Sequence, residues 1–79
     1  MAEDQSPFAD VKEEPGGGFS IPERKWRELL FVGAVRPEAG AFVRDPTRTL
    51  PPFARSGLFP ERRRFSAVPA GGRVVIRPL

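Results

Sequence analysis

Three consecutive arginines, Arg62-Arg63-Arg64, stand between Phe59 and Phe65. Guanidinium groups neutralise phosphates and fork onto carboxylates. Arginines interleaved with aromatic rings are what single-stranded nucleic-acid binders use, phosphate contact plus base stacking. The same combination suits an acidic groove on a protein, because interfaces are enriched in Arg and aromatics. The plainest alternative is a solvated charged turn. No recognisable DNA- or RNA-binding module accompanies the cluster, and a protein partner is the preferred reading of the three.

Other chemistry is poorly supplied. The chain has no His and no Cys, so it lacks the commonest general base and the commonest metal ligands. The hydroxyls of Ser6, Ser20, Ser56, Ser66, Thr47 and Thr49 have no imidazole to activate them. Lys12 and Lys25 belong to no recognisable Ser–Lys motif. Adjacent carboxylates, Glu3-Asp4 and Glu13-Glu14, lie in a polar stretch, where solvation is the usual fate. Catalytic carboxylates need a pocket that shifts their pKa. Gly16-Gly17-Gly18 and Gly71-Gly72 carry no phosphate-loop pattern. The expectation is a protein that is not an enzyme, with no metal and no cofactor.

Seven phenylalanines recur along the chain: Phe8, Phe19, Phe31, Phe42, Phe53, Phe59 and Phe65. The first five stand eleven or twelve residues apart. Eleven extended residues span roughly 36 Å, so the rings meet only where the chain folds back. Either they converge into a small core, or several are separate anchors for pockets on a partner. A mixture is expected. Phe31 is assigned to a local cluster with Trp26, Leu29 and Leu30; Phe53 and Phe59, isolated among prolines, are assigned as anchors. Counting the arginines and the strand residue Val75, the candidate partner-binding set is Trp26, Phe42, Phe53, Phe59, Arg62, Arg63, Arg64, Phe65 and Val75.

The elements that must position these groups are few. Residues 1–15 read as an acidic arm, and Gly16–Gly18 as a flexible hinge. Residues 19–79 read as one small module that depends on a partner. Ser20-Ile21-Pro22-Glu23 fits a capping box, with Pro tolerated in the first turn. Trp26, Leu29 and Leu30 share one face of the helix that follows, Glu23 and Arg27 are spaced as an ion pair, and Gly33 is a natural stop. A buried strand over Leu29–Val35 is the rival reading. Pro37, Pro46, Pro51, Pro52 and Pro60 exclude a long helix or a central strand from 36–64, leaving at most a short strand over Ala41–Arg44. Arg64–Val68 and Arg73–Arg77 flank Pro69-Ala70-Gly71-Gly72 as a hairpin. Two strands alone are marginal, so the strand at Arg73–Arg77 is expected to find a further pairing.

The expected fold is therefore a small, mostly irregular or extended chain. It has one short α-helix (about 20–32), a C-terminal β-hairpin (about 64–77) and little other regular structure. Pro and Gly supply 18 of the 79 residues, close to low-complexity composition. Chains of this size are marginal alone, and without disulfide or metal a partner is the remaining support.

Residues 1–23 hold six acidic groups against Lys12 alone, while 24–79 hold twelve basic against four acidic. A basic body calls for an acidic partner surface. No apolar run approaches the roughly 18–20 residues that span a bilayer, and the acidic start is unlike a signal peptide. These points predict synthesis in the cytoplasm and no membrane partner. The function they suggest is a non-catalytic structural or accessory subunit that binds in extended form along a larger protein assembly present in many copies. A cement or adaptor protein of a viral or phage particle is the most concrete case. The alternative is a small basic nucleic-acid-binding or regulatory protein, including an inhibitor.

Overall fold

The computed structural model describes residues 10–54 and 56–79. Most of the acidic arm, with Phe8, and Arg55 thus lie outside the described residues. The rest is not irregular. Six strands form one antiparallel sheet: β1 (Lys12–Glu13), β2 (Phe19–Pro22), β3 (Val35–Glu38), β4 (Ala41–Arg44), β5 (Arg64–Ala70) and β6 (Arg73–Pro78). Their order across the sheet is β1-β2-β6-β5-β4-β3. One helix, α1 (Glu23–Val32), joins β2 to β3. The expectation of a mostly extended chain with an isolated hairpin is overturned by this sheet.

The physical reason lies in the turns. β3 and β4 are joined by Ala39-Gly40, both at positive φ (52° and 81°). That is the two-residue geometry whose twist matches a hairpin. Pro37 sits inside β3, but β3 is an edge strand, where a missing ladder donor is tolerated. Gly71-Gly72 turns β5 into β6 in the same way, at φ 59° and 82°, so this loop is two residues rather than four. β6 is an interior strand, with Val75 opposite Ser20 on β2 and Val68 on β5.

The glycine run is not a hinge either. Gly17 N–H donates to the Glu14 carbonyl at 3.1 Å and Glu14 N–H to that of Gly18 at 3.2 Å, which makes a hairpin turn between β1 and β2. A Cβ on Gly18 (φ 85°) would collide with the Ile76 carbonyl and the Arg77 side chain. Glycine is what allows Arg77 to cross here and donate to the Pro15 carbonyl at 3.1 Å.

Ser20 is not a helix cap. It lies in β2, fully buried, and its hydroxyl accepts from Arg73 Nε at 2.9 Å. Arg73 also donates to the carbonyls of Ser20 and Asp10, so one guanidinium ties β6, β2 and the chain before β1 together. The helix begins after Pro22 without a side-chain cap. The Gly72 carbonyl accepts from Glu23 N–H at 3.0 Å instead, satisfying one of the orphan amides of the first turn. Gly33 ends the helix in the left-handed conformation at φ 78°, and Glu23 pairs with Arg27 at 3.0 Å.

Strand alternation gives the sheet two unlike faces. One carries Phe19, Ile21, Phe42, Phe65, Val74 and Ile76, and packs against Trp26 and Leu29 of α1. Phe53, Ala54 and Phe59 complete this core from the segment between β4 and β5. That segment has only a short 3-10 turn, Ser56–Leu58, yet it closes over the sheet. The other face has no helix upon it.

Candidate functional site

The structure divides the candidate residues by burial. Trp26 is T-shaped against Phe42, centroids 5.0 Å apart, and against Phe65 at 6.3 Å. Phe42 stacks on Phe65 at 6.2 Å, and Phe59 tilts against Phe65 at 5.4 Å. Phe59 is 0% exposed and Phe53 2%. Phe53, Phe59, Trp26 and Phe65 are therefore core residues rather than surface anchors, and Phe42 is half-buried in the same aromatic cluster. The chain folds back, and most of the rings meet. Phe31 does the opposite. It is 90% exposed and Leu30 40%, because a ten-residue helix on one face of a sheet buries only the stripe of Trp26 and Leu29.

Arg62, Arg63 and Arg64 all remain exposed. Arg62 has φ 67°, a left-handed turn that leads the chain into β5. Among the described residues, none of the three has a carboxylate within 4.0 Å. Arg44 differs: its side chain is 14% exposed, it reaches Glu61 only at 4.0 Å, and its Nε has no hydrogen-bond partner among the described residues.

Beside the arginine run lies a half-open groove of about 500 Å³. Its floor is the end of the core face, Phe19, Phe65, Ile76 and Pro78, with Val11 at one side. Gly57, Leu58 and Pro60 form the loop wall, and Glu13, Arg63 and Arg64 stand at the rim. The loop closes over the sheet through Phe59 and stops short of its far corner, and the groove is the gap that results. It offers a mostly apolar slot with a cationic edge. Such a slot takes a bulky apolar side chain and orients the acidic groups next to it.

Elsewhere, Asp45 accepts from Thr47 N–H at 2.9 Å and from its hydroxyl at 2.6 Å. These bonds first, then the positive charges of Arg36 and Arg48, hold its pKa below the ordinary 3.8. This is a structural turn at the exit of β4. Among the described residues no cluster of His, Cys, Asp or Glu could hold a metal ion, and no helix is long and apolar enough to cross a membrane.

Sequence reasoning picked out Arg63, Arg64 and Phe65 from this groove, and Leu58 as an apolar group of the expected docking segment 51–65, but missed Phe19, Ile76 and Pro78. The signal for Ile76 and Pro78 was present in the alternation of Arg73–Pro78, where Val74, Ile76 and Pro78 share one side. Phe19 comes to the groove by its pairing with Ile76, which no local pattern announces. No family model matches the chain, and neither a curated protein nor a solved structure matches it.

Proposed function

We propose that the chain is a non-catalytic binding module that captures an acidic segment of a partner protein, with one bulky apolar residue of that segment seated in the groove. The observation that supports this is the pairing of an apolar slot with exposed arginines at its edge that have no carboxylate partner among the described residues. An apolar anchor in a pocket supplies affinity, and charge around it supplies register and on-rate. The role is accessory, as the composition suggests, but a folded sheet domain binds through a face or a groove rather than as an extended strap. Stacking of single-stranded bases is disfavoured, because Phe59 and Phe65, the rings flanking the arginines, are in the core.

The test is fluorescence anisotropy with capped, labelled peptides holding a single Phe between pairs of Glu, between pairs of Lys, or replaced by Ser between Glu pairs. The first peptide is expected to bind and the other two to bind far more weakly. Leu58→Ala and Arg63→Gln should each weaken the first by roughly 1–2 kcal/mol, the scale of interface truncations. Equal binding of the Phe and Ser peptides would remove the groove from the account.

A further inference from the structure

The face of the sheet opposite the helix carries a separate pattern. Its cross-strand rows are set by the register: Arg36 on β3 opposite Val43 on β4 opposite Arg64 on β5, and Arg77 on β6 opposite Ser66. Lys12 on β1 continues the face beyond Ser20 and Val75. Among the strand residues that alternate onto this side, Glu38 is the only acid. Glu14 borders it in the β1–β2 turn, and Asp45 pairs with Arg36 at 3.4 Å. Arg36 and Arg64 are two strands apart, about 10 Å at the backbone.

We propose that this face is a second binding surface, for the phosphate backbone of a nucleic-acid duplex. Four cations, Lys12, Arg36, Arg64 and Arg77, are spread from one edge strand of the sheet (β1) to the other (β3), with Arg77 and Arg64 on adjoining interior strands, which suits a charged polymer more than a single carboxylate. Ser66 adds a hydroxyl between them. The exposed large apolar groups of the described chain are Leu30, Phe31, Val68 and Leu79; of these Val68 lies on this face, and Leu79, whose N–H donates to the Arg64 carbonyl, lies at its edge. With no ring on this face among the described residues to stack on bases, the contact is to backbone phosphates, and a duplex presents these without unstacking. The surface shares Arg64 with the rim of the groove, but the groove itself opens on the core side, and Lys12, Arg36 and Arg77 do not line it.

The test titrates the full chain against a labelled mixed-sequence DNA duplex of about two helical turns over a range of salt. Four phosphate contacts imply a log–log slope of roughly −3 to −4. Arg36→Gln with Arg77→Gln should reduce the slope by about two, since each phosphate contact contributes about one. Glu38→Gln should tighten binding several-fold; a gain of affinity cannot arise from unfolding. Leu58→Ala should leave duplex binding unchanged, and Lys12→Gln should leave the glutamate-flanked peptide unaffected, so failure of one surface is read separately from failure of the other. The proposal is overturned if binding is independent of salt, if Glu38→Gln does not tighten it, or if poly-glutamate of equal charge competes as well as unlabelled duplex, the last pointing to an acidic protein.

Discussion

Phe59 stands edge-on to Phe19, ring centroids 5.4 Å apart and planes 77° to each other. Phe19 belongs to β2, near one margin of the sheet, and Phe59 to the proline-rich segment between β4 and β5. Edge-to-face contact is a favoured aromatic geometry and adds to the burial of both rings. This contact fastens a segment with almost no regular structure to the sheet, and its Phe19 ring also lines the groove.

Phe59→Ala is therefore expected to destabilise the isolated chain by about 3–5 kcal/mol, the range for buried aromatic truncations. Denaturant unfolding followed by Trp26 fluorescence would measure it. A loss below about 1 kcal/mol would mean that the ring is a surface group after all.

The helix was legible because its signals are local: Trp26 and Leu29 at helical spacing, Gly33 as a stop. The β5–β6 hairpin was legible for the same reason, through Val74-Val75-Ile76 and the paired glycines. The β3–β4 hairpin was not, because Ala39 rather than Asn or Asp takes the first left-handed position and Pro37 argues against a strand. The sheet as a whole was hidden by its pairings. β2 joins β6 across more than fifty residues, with Ile21 opposite Val74, and short-range patterns carry no information about such a partner. At the site the arginines were legible as exposed charges. The phenylalanines were not, since a ring among prolines reads as isolated until the chain is seen to fold back.

Ala39 sits at φ 52°, where a Cβ costs roughly 1–2 kcal/mol. Asn tolerates this conformation better. Ala39→Asn should raise stability by roughly 0.5–1 kcal/mol, read as a higher midpoint in thermal unfolding. A lower midpoint would contradict the assigned turn.

Asp45 gives a pH dependence with a definite sign. Its folded pKa is lowered by the Thr47 bonds, then by Arg36 and Arg48. The stability it contributes is thus present above its ordinary value of 3.8 and lost as pH falls through the lowered folded value. The difference in stability between the parent chain and Asp45→Asn should be full near neutrality and shrink once the pH drops below that range. Unfolding curves across that interval check it; a difference that stays constant would exclude the titration.

Arg44 is mostly buried with a distant ion-pair partner and an Nε unsatisfied among the described residues. Desolvation of such a charge offsets much of its attraction. Arg44→Met, of similar length, should leave the melting temperature unchanged or raise it. A fall of several degrees would show that the pair with Glu61 contributes more than its 4.0 Å separation implies.

The central claim is that a folded domain binds through the groove, and amide chemical-shift mapping tests it most directly. The isotopically labelled chain is titrated with the capped peptide holding one Phe between Glu pairs. The account predicts saturable shifts concentrated at Phe19, Leu58, Arg63, Phe65 and Ile76, with the exposed Phe31 and its helical neighbours unmoved. Shifts centred on Leu30 and Phe31 instead, or none at saturating peptide, would contradict it.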